Sequence, residues 1–433
     1  MSEIKDYIYD HKQEMIDFLA ELVAVPSVQG EAEEGAPFGK EPARALDIML
    51  KKCEEFGFSV ENTDNYAGSA DINGLAPELA VLTHLDVVPV GTGWTSDPFV
   101  LRHEPETDKL VGRGTIDDKG PAVAALFAAR AVKELGLPLK KGIRLIFGTN
   151  EENGSADLAY YRKKHELPSM VFTPDGEYPL INAEKGMLRV YFSAAVPENV
   201  SVEAGTVINA VPASCKFQFV RAEKNGPTAF FGKTDGTSAH ASTPEKGENA
   251  ITKFLADYGN EEPLLKALAE LFPHGELNGK SCGLGFSDDI SGDMTCVLSL
   301  LNTENGRIKG GIDIRFPLDR KKAEISDIIC GKLRSAGFEV DSCEGVEPHC
   351  TDENSEFVQT LLRVYERVTG DKGRCIAIGG GTYVHEIEGG VAFGAEFPDT
   401  NCNMHCPDEF ITVNDLLKNA EIMAEAMVEL CGQ

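Results

Sequence analysis

Apolar and polar positions in the first half of the chain alternate between two rhythms. "ELAVLTHLDVVPV" is a nearly continuous apolar run that predicts a buried strand ending at Pro89. "PAVAALFAARAVKELG" follows with helical periodicity, Pro121 suiting the first turn and Gly136 the stop. "KGIRLIFGTNEENG" returns to the strand period, with Ile143, Leu145 and Phe147 on one face, and "SMVFTPDGEYP" is a shorter strand. The amino-terminal "MSEIKDYIYDHKQEMIDFLAELV" predicts one amphipathic helix. Strands alternating with helices predict an α/β fold, a mostly parallel sheet covered on both faces.

From about residue 183 the texture changes. "GMLRVYFSAAV", "CKFQFVRAE" and "IKGGIDIRFPL" alternate as antiparallel strands do, interleaved with the helices "ENAITKFLADYG" and "KKAEISDIICGKLRSAG". Near "EPHCTDENSEFVQTLLRVYERVTGD" a long helix resumes, followed by a Gly-rich loop, a strand and the helix "VNDLLKNAEIMAEAMVELC". This order predicts a second, α+β lobe inserted into the first: residues 1–183 and 349–433 form one domain and 184–348 the insert. A chain of 433 residues is long enough for two cores.

Composition narrows the partners. A net charge of −29 leaves no basic patch for nucleic acid or an anionic membrane. No apolar run spans a bilayer, and the charged start carries no signal-peptide core. Eleven scattered cysteines fit reduced thiols better than a disulfide framework, so a cytoplasmic protein is expected.

The chemistry gathers where the strands end. In a parallel sheet, ligands bind at the carboxyl ends of strands. His84, Asp86, Glu151, Glu152 and Asp175 all fall there, and alternation would send His84 and Asp86 to one face. "VGRGTIDDKGP" adds Asp117 and Asp118 before a helix, and "NMHCPDEF" adds His405. Singly these are ordinary: a helix cap, solvated turns, a loop histidine. Together they crowd carboxylates that repel one another and resist burial unless a cation joins them. Two divalent ions bring four positive charges, which three carboxylates and one hydroxide balance, a combination suited to hydrolysis by activated water. HExxH, G-x-S-x-G, the phosphate loop and G-x-G-x-x-G are all missing.

"THLDVVPVGTGWTSDPF", "GRGTIDDKGP", "TNEENGS", "TPDGEYP", "DGTSAHASTPEKGENAI", "GGGTY" and "MHCPDEF" occur in an order and at spacings similar to the dinuclear zinc exopeptidase family. Its members include carnosinase, glutamate carboxypeptidase, acetylornithine deacetylase and bacterial dipeptidase V, and the last branch is the one this chain resembles most. The resemblance covers nearly the whole chain and implies a zinc-binding catalytic domain with an inserted lid. It implies Asp117 as the carboxylate bridging two metals, His84 and Asp175 on one metal, and Glu152 and His405 on the other. Asp86 matches the residue that holds the ligand histidine. Glu151 matches the general base that takes a proton from the water and passes it to the leaving amine. In the lid, His240 matches a histidine that stabilises the oxyanion, and Asn209 and Arg315 match substrate contacts, Arg315 gripping the terminal carboxylate. Gly379, Gly380, Gly381 and Thr382 resemble the substrate-carboxylate loop. Val384, His385 and Cys406 depart from the usual pattern without removing a ligand.

The implied function is a dipeptidase acting on short peptides with a free C-terminal carboxylate. Two zinc ions are expected, with manganese or cobalt able to occupy O/N sites of this type. The implied partners are small peptides alone, and the long insert implies an active monomer. Two alternatives stand beside this: an N-acyl amino-acid deacylase using the same metals, and a catalytically silent binding protein that kept the fold.

Overall fold

The computed structural model describes residues 3–432 except 198, 199, 224, 225 and 399. The chain divides into two compact units. The first contains Met1–Asn182, Thr351–Ile376 and Thr382–Gln433; the second contains Ala183–Cys350 and Ala377–Gly381.

The first unit is built on a mixed, mostly parallel sheet. Strand Pro77–His84 runs parallel to Gly142–Gly148 on one side and to Met170–Thr173 on the other, and Val391–Ala392 extends the parallel set. Ala67–Asp71 and Ser59–Thr63 add an antiparallel edge. Register puts His84 opposite Gly148, so the ends of two central strands coincide. Helix Lys119–Glu134 is apolar almost all round, from Ala122 to Val132, and is buried accordingly. It packs against the carboxy-terminal helix Val413–Cys431 in one core with Leu145, Phe147, Phe172 and Phe393. The amino-terminal stretch forms two helices, Glu3–Asp10 and Lys12–Val23, rather than one. They part at His11, whose ring stacks on Tyr7 and whose Nδ1 lies 2.7 Å from the Tyr7 carbonyl oxygen, a side-chain competitor for a helical acceptor.

The second unit is α+β. Seven strands, all antiparallel to their neighbours, run in the order Gly226–Asp235, Ser214–Glu223, Val200–Ala204, Thr295–Glu304, Arg307–Phe316, Gly186–Ala195, Glu339–Val346. Period-2 alternation sends Ile312, Ile314 and Phe316 into a core with Phe192, Phe254, Leu268 and Ile329, residues that include apolar faces of helices Ala250–Tyr258, Pro263–Leu271 and Lys322–Ser335. Asp313 and Arg315 therefore point to the opposite face of the sheet. Among the described residues, which include all eleven cysteines, there is no disulfide. Among the described residues, no helix is long and apolar enough to cross a membrane.

Candidate metal centre

Three strand ends and two loops of the first unit bring seven of the expected residues together. Strand Pro77–His84 delivers His84 as its last residue, fully buried. Glu151 and Glu152 follow strand Gly142–Gly148 on a short 3-10 turn, Glu151–Asn153, and Asp175 lies two residues beyond Met170–Thr173. Asp117 comes from the loop before helix Lys119–Glu134, joined to Asp118 by a cis peptide, and His405 from the loop before strand Phe410–Thr412.

Asp117 is the hub. Its Oδ1 lies 3.0 Å from His84 Nε2 and its Oδ2 lies 2.7 Å from His405 Nε2. Around the first oxygen, Asp175 Oδ2 stands 3.7 Å from His84 Nε2. Around the second, Glu152 Oε2 stands 3.3 Å from His405 Nε2. The ligand atoms of His84, Asp117 and Glu152 lie within 4.8 Å of one another, as do those of His84, Glu151 and Asp175. Glu152 Oε1 is buried without a hydrogen-bond partner among the described residues, and His84 Nε2, though 3.0 Å from Asp117 Oδ1, makes no well-directed hydrogen bond. Unsatisfied buried donors and acceptors are costly, and here they point into a cage of imidazoles and carboxylates. A pair of divalent cations fits this donor set, because each would find an imidazole, an oxygen of Asp117 and a further carboxylate.

The electrostatics express the same crowding. Burial, aided by the charge of Asp117, raises Asp175 to about 7. Burial and then the neighbouring Asp175 push Glu151 well above the carboxylate range, and burial with Asp117 raises Glu152. Burial alone would depress both histidines. Asp117 and Asp86 nevertheless hold His84 well above its usual value, and Asp117 and Glu152 raise His405 to about 11. Asp117 itself, opposed by its own burial, is lowered by the two imidazoles.

Asp86 meets more than His84. The strand ends at His84, so Asp86 lies beyond it, and His84 Nδ1 is nearer the Asp86 carbonyl oxygen (3.0 Å) than its carboxylate Oδ1 (3.4 Å). The carboxylate also accepts from two backbone groups, Glu151 N–H at Oδ1 (3.1 Å) and Glu152 N–H at Oδ2 (3.2 Å). Asp86 thus ties His84 and the Glu151–Glu152 turn into one piece.

Asp118, and three residues that the sequence reading passed over, complete the frame. Asp118 heads the helix but makes no side-chain cap; its Oδ2 accepts from the His84 N–H (3.0 Å). Glu409 is fully buried: Oε2 pairs with Arg113 Nη1 at 2.5 Å, and Oε1 accepts from Gly114, Ile116 and Asp117 N–H at 2.9, 3.1 and 3.3 Å. Asp157 accepts from the N–H groups of Thr149 and Asn150, just before Glu151, and from the Tyr383 hydroxyl. The Tyr383 ring stands edge-on to His84, 5.9 Å between centroids. The quoted segment "MHCPDEF" contained Glu409, but nothing in its spacing marks a partner nearly three hundred positions earlier. Glu409→Ala should strand Arg113 and three backbone donors. The expected cost is about 3–5 kcal/mol, read as a lower urea midpoint; a change below about 1 kcal/mol would show that water replaces the carboxylate.

The remaining candidates lie in the second unit, apart from Thr382. Asn209 and His240 sit side by side: Ala210 bridges His240, and Ala241 N–H donates to the Asn209 carbonyl (2.8 Å). His240 Nδ1 is 2.6 Å from Ser242 Oγ and accepts from the Ser242 N–H at 3.3 Å. An amide N–H can only donate, so Nδ1 is the acceptor and the ring carries its proton on Nε2. Gly379 needs to be glycine, since a Cβ there would meet Ser242 Cβ at 2.8 Å. The fork of Arg315 is already engaged: Nε donates to Asp313 Oδ1 (2.6 Å), Nη2 to Asp313 Oδ2 (3.0 Å) and Nη1 to the Gly379 carbonyl (2.8 Å). Gly380 and Gly381 complete the second unit's loop. Thr382 belongs to the first unit, where its hydroxyl caps the turn Tyr383–Glu386. Val384 is buried in a small core with Tyr383, whereas Cys406 is exposed.

Comparison with known proteins follows the same lines. The family described as peptidase family M20/M25/M40 matches residues 80–429. A Beta-Ala-Xaa dipeptidase of Lactobacillus delbrueckii subsp. lactis is 34% identical over 466 aligned positions, covering 97% of this chain and 96% of its own. The structure of human carnosine dipeptidase 1 superimposes with a TM-score of 0.64 at 16% identity, covering 99% of each chain. That of the dipeptidase Dug1p from Saccharomyces cerevisiae does so with a TM-score of 0.65 at 14% identity, covering 99% and 98%.

Proposed function

This chain belongs to peptidase family M20/M25/M40 and is a metal-dependent dipeptidase, and from that premise we propose how its residues carry the reaction. Asp117 would hold both metal ions, with His84 and Asp175 as the further ligands of one and Glu152 and His405 as those of the other. The observation that carries this reading is the division of Asp117, one oxygen to each imidazole. Zinc is the proposed metal, since imidazole and carboxylate donors suit it. When bound, the metal pair supplies a Lewis acid and lowers the pKa of water enough to make it a nucleophile near neutral pH.

The protein's own groups do the rest. Asp86 holds the backbone of Glu151 and Glu152, so the carboxylate of Glu151 is fixed beside the His84 and Asp175 position. A carboxylate held there can accept a proton and return it to a leaving amine. His240, neutral and protonated on Nε2, is a donor of the type that stabilises an oxyanion. Asn209, Arg315 and the loop from Gly379 to Thr382 recognise the peptide, with Arg315 receiving its terminal carboxylate through the N–H groups left to it. The substrates are small peptides, the working unit is a single chain, and its place is the cytoplasm.

The test is metal removal joined to a substrate panel. Chelated protein should be inactive and regain hydrolysis of dipeptides with zinc, holding two ions per chain, while N-acetyl amino acids are turned over more slowly. Fewer than one ion per chain after reconstitution, or full occupancy with no hydrolysis, would overturn the proposal. Faster turnover of the N-acetyl substrates would make the chain a deacylase.

A further inference from the structure

We infer that Asp313 is a positioning residue for substrate recognition, fixing the guanidinium of Arg315 and, through it, the Gly379 loop. The inference rests on the reading of Arg315 as the group that receives the substrate's terminal carboxylate. Asp313 is fully buried and Arg315 is 4% exposed, and they lie two apart on strand Arg307–Phe316, on the face away from the apolar core. Both oxygens of Asp313 are used on one edge of the guanidinium, at 2.6 and 3.0 Å. Such a bidentate pair sets the plane of the guanidinium as well as its position. Register adds a second cation, because Arg189 faces Asp313 across the sheet with its Nε 3.8 Å from Oδ2.

The consequence follows from counting donors. A guanidinium has five N–H groups. Asp313 takes two and the Gly379 carbonyl takes a third. One N–H on Nη1 and one on Nη2 remain for an anion. The loop is pinned a second time where Lys185 N–H donates to the Ile378 carbonyl at 3.0 Å. Without Asp313, Arg315 would gain rotamer freedom and Gly379 would lose a fixed partner, so an incoming carboxylate would have to order both. The loss should fall on binding of the carboxylate, not on the chemical step.

The experiment uses the full-length, zinc-reconstituted protein and two substrates, a dipeptide and the same dipeptide with a C-terminal amide. Wild type should prefer the free carboxylate; absence of that preference would overturn the reading of Arg315 itself, before any variant is made. Asp313→Asn should raise KM for the free dipeptide about tenfold or more and change kcat less than about threefold, with the amide little affected. Asp313→Glu keeps the charge but lengthens the arm, so it should fold even if the asparagine variant does not, and should show the same KM defect. Asp313→Asn added to Arg315→Lys should cost little more than Arg315→Lys alone. An unchanged KM in both variants, equal losses on the two substrates, or additive effects of the pair would each overturn the inference.

Discussion

Glu151→Gln should lower kcat on a dipeptide by roughly two or more orders of magnitude while both metal ions stay bound. The amide keeps the size of the side chain and leaves the backbone N–H of residue 151 on Asp86, so the turn is preserved. What it removes is the ability to take a proton. The geometry makes this test sharp, because Glu151 also lies among possible ligand atoms, in one cluster with His84 and Asp175. A ligand and a base would both be inactivated by the change, but only a ligand would release metal. Metal content measured beside kcat therefore decides the role: a variant that is inactive and metal-depleted would move Glu151 from base to ligand.

Asp117→Asn should act in the opposite way, by emptying the site. Asp117 offers one oxygen to each imidazole, and an amide can offer only one acceptor and presents donors on its other side. Affinity should fall by more than the roughly 10–100-fold typical of losing a partner behind a ligand. Thermal unfolding gives a readout independent of activity. Binding to the folded state alone stabilises by about 2.7 kcal/mol at a hundredfold excess over Kd, so wild type should show a zinc-dependent rise in Tm. In Asp117→Asn that rise should largely vanish. A variant that keeps both ions and the full shift would show that Asp117 is not the bridge.

The strand and helix rhythm of this chain was legible because burial imposes periods of 2 and 3.6 directly on the sequence. That rhythm located the parallel sheet, the strands ending near His84, Glu151 and Asp175, and the α+β texture after residue 183. It also brought the acidic loops under suspicion, since carboxylates concentrated at strand ends need a reason. Boundaries were less legible: the strand "ELAVLTHLDVVPV" stops at His84, five residues before Pro89, and Asp86 is held by hydrogen bonds outside the ladder.

Partnership was decided only by the tertiary structure. Asp118 had the sequence position of a helix cap, yet its carboxylate goes to His84 N–H, thirty-four residues back. Glu409 drew no reading from the sequence, yet it gathers the backbone around Asp117 from 292 residues away. Arg315 looked free to grip a carboxylate, yet Asp313 and Gly379 already hold three of its donors. Period and composition constrain which face a side chain occupies, because that depends on neighbours a few residues away. Which atom a buried carboxylate satisfies depends on whatever segment packing brings within 3 Å, and sequence separation carries no information about that.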